Sequence, residues 1–369
     1  MNETALTVRP TPQAATLARV DALRDRARSF AEQSRAASTK DAYASDWAHF
    51  ALWCSVFGYA SLPADAETVA LYLAEFADAS PDWPAFARWC KAQRKQANVY
   101  DIDLLTAYGQ AQQIDTTVLH PALKVATLTR RLAAISQLHQ LQRFDSPSQS
   151  ELVRTVLKGI RREKGTRQDQ PAPATLHVLQ RMLQAVPATL GGTRDRALLL
   201  VGFAGALRRS NIVALEVDHI RFQAAGMILL LERSKTDQEA QGTEIGIVMG
   251  EHAETCPVRA LRAWLRAANI TSGFVFRPMT KHDTVRQRGL SDQSVRLVIK
   301  RYAQAAGLEA DDFSAHSLRA GLPTTAASMN IADRAIADQT KHRSMEVLNR
   351  YIRAGQILGP NNVSGRVGL

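Results

Sequence analysis

The stretch QTKHRSMEVLNRYIRAG, residues 339–355, holds a histidine and a tyrosine suited to proton and phosphoryl chemistry, His342 and Tyr351. On one uninterrupted helix, nine steps of about 100° would put them on opposite faces. A break resolves this: Ser344 can cap a new helix over 345–353, with Glu346 in its first turn and His342 in the turn before it. On this segment alone, Tyr351 could equally extend the apolar face of Val347 and Leu348. Upstream, SAHSLRAG sets His316 and Arg319 one helical turn apart, on one face. GALRRSNIVAL places Arg208 after a small-residue bend, and ERSKTD places Lys235 at a polar turn between two β-rich runs.

These types fit attack on a phosphodiester, whose non-bridging oxygens share a negative charge that grows as a nucleophile approaches. Guanidiniums offer those oxygens planar forks of donors and, held rigidly, stabilise the developing charge. A phenol, with a pKa of about 10, attacks once positioned and relieved of its proton. A lysine can protonate a departing hydroxyl.

The ordered set Arg, Lys, His-x-x-Arg, His, Tyr resembles the tyrosine recombinases (phage integrase family), the Cre-like branch in particular. The resemblance spans nearly the whole chain. ALWC and ETVALYL are similar to the family's N-terminal core-binding domain, SKT to its β-turn lysine, and HSLRAG, HRS and NRYIR to its C-terminal signature. It implies that Arg208 and Arg319 clamp the phosphate, His342 donates to it, and Tyr351 is the nucleophile. His316 then helps the phenolic proton leave, and Lys235 is the general acid. The product implied is a 3′-phosphotyrosyl ester, which keeps most of the bond energy, so that rejoining needs no ATP, metal or other cofactor. In agreement, the sequence has no GxxxxGK[ST] loop and no HExxH. Arg209 beside Arg208, and an ordinary solvated role for Lys235, are the competing assignments. Type IB topoisomerase-like relaxation and non-catalytic DNA binding are the competing functions.

The elements that must position these residues are mainly helical. The fold class expected is mainly α with a small β-sheet: a helical N-terminal core-binding (SAM-like) domain plus an α+β catalytic domain. After a disordered leader (1–13), residues 14–160 read as helical, including an Arg-rich helix to about 36 and apolar stripes at Tyr43, Trp47, Phe50 and Cys54. Ser38 or Thr39 is the expected cap of that second helix. RREKGTRQDQPAPA, residues 161–174, reads as an exposed basic linker. The catalytic domain follows over 175–369, ending in a tail (about 354–369) for which two readings stand: docking on a neighbouring protomer, by analogy with the family, or packing on its own chain.

With 369 residues and a net charge of +11, the chain favours a polyanionic partner. Lys40, Arg130, Arg131, Arg161, Arg162 and Lys164 are the expected DNA-binding residues, contacting phosphates for affinity and register. The family implies double-stranded DNA with inverted-repeat sites, a dimer on each site and a tetramer in synapsis; accessory proteins stay open. Three scattered cysteines and no apolar run of membrane-spanning length fit the cytoplasm, at the nucleoid. Three features depart from the family: Lys341 where a glycine usually precedes the histidine, Asn211 where an acid often stands, and Pro323 just after Arg319. A surplus of some forty residues (79–119) reads as an added helical pair or an extended DNA surface.

Overall fold

A computed structural model of the chain describes residues 37–97, 102–113, 116, 119–166, 170–231, 242–280, 282–342 and 344–357, with isolated positions at 19, 22, 23 and 26. The leader, most of the Arg-rich helix and the end of the tail lie outside the described residues. The chain forms two compact units, Met1–Gln168 and Asp169–Leu369.

Among its described residues the first unit is built of helices: α1 (Ala37–Phe57), α2 (Ala66–Ala77), α3 (Trp83–Ala92), α4 (Ile102–Gln112), α5 (Val125–Leu141) and α6 (Glu151–Lys164). Local chemistry sets the boundaries. Asp65 caps α2 by accepting from the Thr68 amide at 2.6 Å, and Ser150 caps α6. Ser38 and Thr39 lie inside α1 instead of capping it. Helices α1, α2, α5 and α6 share one core around Phe50, Tyr72, Leu73, Leu128 and Ile135, all fully buried. Burying each such side chain contributes about 1.5–3 kcal/mol.

The surplus segment has a core of its own. Phe86 and Cys90 of α3 pack with Leu104 and Tyr108 of α4 and with Leu119. Its ends meet where the Ser80 amide donates to the His120 carbonyl at 3.0 Å, and the His120 amide to Ser80 Oγ at 3.1 Å. It is an added helical pair rooted on α2.

The basic linker does not begin at 161. Arg161, Arg162 and Lys164 form the last turn of α6, where cations complement the helix dipole. The division between units falls after Gln168.

The second unit comprises α7 (Leu176–Gln184), α8 (Leu190–Ala204), α9 (Arg209–Ala214), a three-stranded sheet, then α10 (Pro257–Ala267), α11 (Asp292–Ala305), α12 (Ala315–Ser328), α13 (Asp333–Thr340) and α14 (Met345–Gln356). Strands β1 (Ile220–Phe222), β2 (Gly226–Leu231) and β3 (Thr243–Val248) are antiparallel in that order, with Leu229 opposite both Ile220 and Ile245. Alternation along β3 sends Ile245 and Ile247 inward. Helix α8 is buried from Ala197 to Val201, joining the sheet face, α10 and α11 into one core. A smaller cluster of Ala320, Ala327, Ile336, Leu348, Tyr351 and Ile352 packs α12, α13 and α14 together.

Candidate active site

Arg208, His316, Arg319, His342 and Tyr351 converge in the second unit. Arg208 stands at the N-cap of α9 and lines a cleft of about 400 Å³ with His316 and Arg319. Arg209 lines the same cleft, where it is engaged in an ion pair with Asp292 at 3.0 Å.

A reciprocal capping box starts α12: Ser314 accepts from the His316 amide at 3.2 Å, and the Ser314 amide donates to Ser317 Oγ at 3.0 Å. The first turn then presents His316, and the next presents Arg319. Arg319 is 5 % exposed, and backbone carbonyls hold its guanidinium. Nη1 donates to the Ala206 carbonyl, and Nη2 to the Thr340 carbonyl at 3.2 Å. Pro323 lies inside α12 without ending it. It removes the amide that would have bonded the Arg319 carbonyl one turn earlier.

The nine-residue spacing is resolved by a left-handed break. Lys341 ends α13 at φ 51°, ψ 45°, and Ser344 opens α14 by accepting from the Val347 amide at 3.4 Å. The usual glycine at position 341 has a physical reason, since L-residues other than glycine are strained in this conformation. The His342 and Tyr351 rings lie 5.7 Å apart between centroids.

Tyr351 does two things at once. Its ring belongs to the small apolar cluster, on the Leu348–Ile352 face of α14, while Val347 stays exposed. Its hydroxyl meets His316 Nε2 at 2.6 Å. Burial raises the phenol's pKa, against the guanidiniums of Arg319, Arg350 and Arg208, which lower it. His316 is depressed by burial and then by Arg319 and Arg208. His342 is depressed to about 3 by the same causes in the same order, and then by His316. Arg319 falls to about 10 through burial and the neighbouring Arg208. Both imidazoles are therefore neutral near pH 7, and His316 can accept the phenolic proton. The cluster holds positive charge and donors around a cleft, an arrangement that suits an anion.

Lys235 lies outside the described residues, in the connection between β2 and β3. The expected DNA-contact residues divide. Lys40, Arg161 and Arg162 are exposed, and Lys164 pairs with Asp78 at 2.6 Å and Glu163 at 2.8 Å. Arg130 makes a two-point pair with Asp46, at 2.7 and 3.0 Å. Arg131 is a core residue, 6 % exposed, donating to the Tyr72 hydroxyl at 2.9 Å and to His49 Nδ1 at 3.0 Å. A guanidinium so enclosed is not a surface phosphate ligand, and the expectation for Arg131 is corrected. Buried Asp46 on α1 pairs with both arginines, with Arg130 on the surface and with Arg131 inside the core.

Sequence reasoning missed Thr340, Ser314 and Gly355. A Cβ on Gly355 would lie 2.3 Å from the Thr324 carbonyl, so α14 approaches α12 through that glycine. The RAG triplet in which it sits was the available signal.

The phage integrase family model matches residues 174–356. An integrase/recombinase XerD homologue from Selenomonas ruminantium is 35% identical over 334 residues, covering 89% of this chain and 85% of the relative. The chain belongs to the tyrosine recombinase family. A tyrosine recombinase of Synechococcus elongatus is 28% identical, over 78% of this chain and 82% of its own length. Among solved structures, a XerH site-specific recombinase bound to palindromic difH substrate matches with a TM-score of 0.50 and 16% identity, covering 72% of this chain and 70% of that one. That match concerns the fold, a mainly helical chain with a small sheet. The activity class of this family member is site-specific DNA recombination. Among the described residues, no helix is long and apolar enough to cross a membrane.

Proposed function

We propose that this recombinase cuts and rejoins duplex DNA through a covalent bond to Tyr351. The observation that carries the reading is the 2.6 Å contact between the Tyr351 hydroxyl and His316 Nε2, beside Arg208 and Arg319. The scissile phosphate sits between the two guanidiniums, which neutralise its growing charge. Tyr351 Oη bonds to phosphorus while its proton passes to His316 Nε2. The bond from phosphorus to the 5′ oxygen breaks, and Lys235 supplies the proton for the leaving hydroxyl. A 3′-phosphotyrosyl ester remains, and attack by a second 5′-hydroxyl reverses each step. Exposed Lys40, Arg161 and Arg162 add phosphate contacts that set affinity and register. Two protomers on an inverted-repeat site, and four in synapsis, complete the reading carried over from the family.

The test starts by footprinting the protein on DNA to locate its site. A nicked suicide duplex of that site should trap wild-type protein covalently, while Tyr351→Phe should bind it and never attach. Equal trapping of both proteins would refute the nucleophile. Relaxation of plasmids lacking the site would instead indicate a topoisomerase.

A further inference from the structure

We propose that Thr340 is a positioning residue that locks His342 in the Nδ1–H tautomer and so reserves Nε2 for the scissile phosphate. The inference rests on the reading of His342 as a phosphate donor. Thr340 is the last residue of α13 and is 1 % exposed. Its hydroxyl donates to the Ile336 carbonyl at 2.8 Å. A hydroxyl has one proton to give, so its second contact, with His342 Nδ1 at 2.6 Å, leaves the imidazole as donor. The bond at one ring nitrogen decides the state of the other. Neutral His342 therefore carries its lone pair at Nε2.

The same residue steadies the second phosphate ligand, since its main-chain carbonyl accepts from Arg319 Nη2 at 3.2 Å. Thr340 thus spaces His342 and Arg319 with two different oxygens. The left-handed turn at Lys341 folds the chain back and lets His342 reach the hydroxyl two residues earlier.

The fixed tautomer has a chemical consequence. A lone pair on Nε2 cannot donate to a phosphate oxygen, so His342 acts as a donor only after Nε2 takes up a proton from solvent. The charged and titratable groups acting on or facing the ring are Arg319 and His316 from α12, Arg208 from the start of α9, and Tyr351 from α14. The cations among them oppose that proton until an anion arrives between them. An incoming phosphate supplies the missing charge, and His342 becomes a doubly bonded imidazolium, Nδ1 to Thr340 and Nε2 to the phosphate. Donor strength at His342 is thereby coupled to occupancy of the site.

Full-length protein labelled with 15N-histidine, as wild type, Thr340→Val and Thr340→Ser, tests this, with His342→Gln assigning the resonance. Wild type and Thr340→Ser should show His342 protonated at Nδ1 in the free protein. Thr340→Val keeps the shape but removes the acceptor, and should shift the ring toward the Nε2–H form. On the suicide duplex, with saturating protein, its single-turnover cleavage should fall about tenfold, the worth of one hydrogen bond, with an altered pH profile. Thr340→Ser should restore rate and profile. An unchanged tautomer in Thr340→Val would overturn the proposal. A changed tautomer with wild-type cleavage would uphold Thr340's grip on the ring but remove His342 from the reaction, a failure of the site reading instead.

Discussion

At the scale of single residues, Arg319 is fixed by two carbonyls that left-handed backbone sets in place. Ala206, which offers one, has φ 45°, and Lys341, which follows the other at Thr340, has φ 51°. A left-handed L-residue costs roughly 1–2 kcal/mol, and here both sites of strain hold the same guanidinium. Lys341→Gly should relieve one of them. Thermal melting should show a gain of up to about 1 kcal/mol, moderated by glycine's greater freedom in the unfolded chain. Cleavage of the suicide duplex should stay close to wild type, because the Lys341 side chain is exposed and makes no part of the clamp. A large loss of cleavage would instead assign that side chain a contact with DNA, the role its departure from the family pattern leaves open.

At the scale of elements, the proposed attack by Tyr351 depends on how closely α14 lies on α12. Gly355 permits the approach, with the Thr324 carbonyl and the Ala327 methyl against its Cα. Gly355→Val should push α14 outward, costing about 1–3 kcal/mol by overpacking. Because Tyr351 is one turn earlier on that helix, covalent trapping should fall far more than DNA affinity, which gel shifts on the same duplex would separate. Equal losses of both would mean that the unit had simply unfolded. The added pair α3–α4 is the opposite case. Its own core and its closely tied ends predict that replacing residues 81–118 by a short linker leaves the Phe50–Tyr72–Leu128 core folded, as circular dichroism and melting would report. These elements also mark what the sequence could disclose. Ser344 and the apolar stripe at Trp47, Phe50 and Cys54 are local signals: Ser344 caps α14 as expected, although the helix runs on to Gln356, and the stripe packs α1 into its core. The chemistry-bearing types at Arg208, His316, Arg319, His342 and Tyr351 were equally legible, since order and spacing are properties of the string. The fate of Arg131 was not: whether a helical arginine faces solvent or core depends on Asp46, 85 positions away. Thr340 was hidden for the same reason, because its value lies in a hydroxyl that meets His342 across the turn and a main-chain carbonyl that meets Arg319 on another helix.

At the scale of the whole molecule, an excess of positive charge is concentrated where it is least comfortable without a partner. The free protein holds His342 at about 3 and His49, in the other unit, at about 4. Both values lie below the ordinary histidine pKa of about 6.5, so the unfolded chain binds protons that the folded one refuses. Stability should therefore be full above about pH 6.5 and be lost progressively as the pH falls toward those depressed values. The two histidines differ in what relieves them. His49 is lowered by burial first and then by Arg131, in a part-buried position of the first unit beside the Tyr72 hydroxyl. His342 is lowered by burial and then by the guanidiniums that would receive the scissile phosphate. An anion bound there cancels the repulsion and raises the pKa of His342 and, with it, that of His316. Binding of the footprinted duplex near pH 6 should thus take up protons, and its affinity should strengthen as the pH is lowered through the range just below neutrality. Isothermal titration in two buffers of different ionisation enthalpy measures that uptake directly. His342→Gln should reduce it, and His49→Gln should leave it unchanged. Zero uptake by the wild-type protein would mean that no phosphate comes to rest between Arg208 and Arg319.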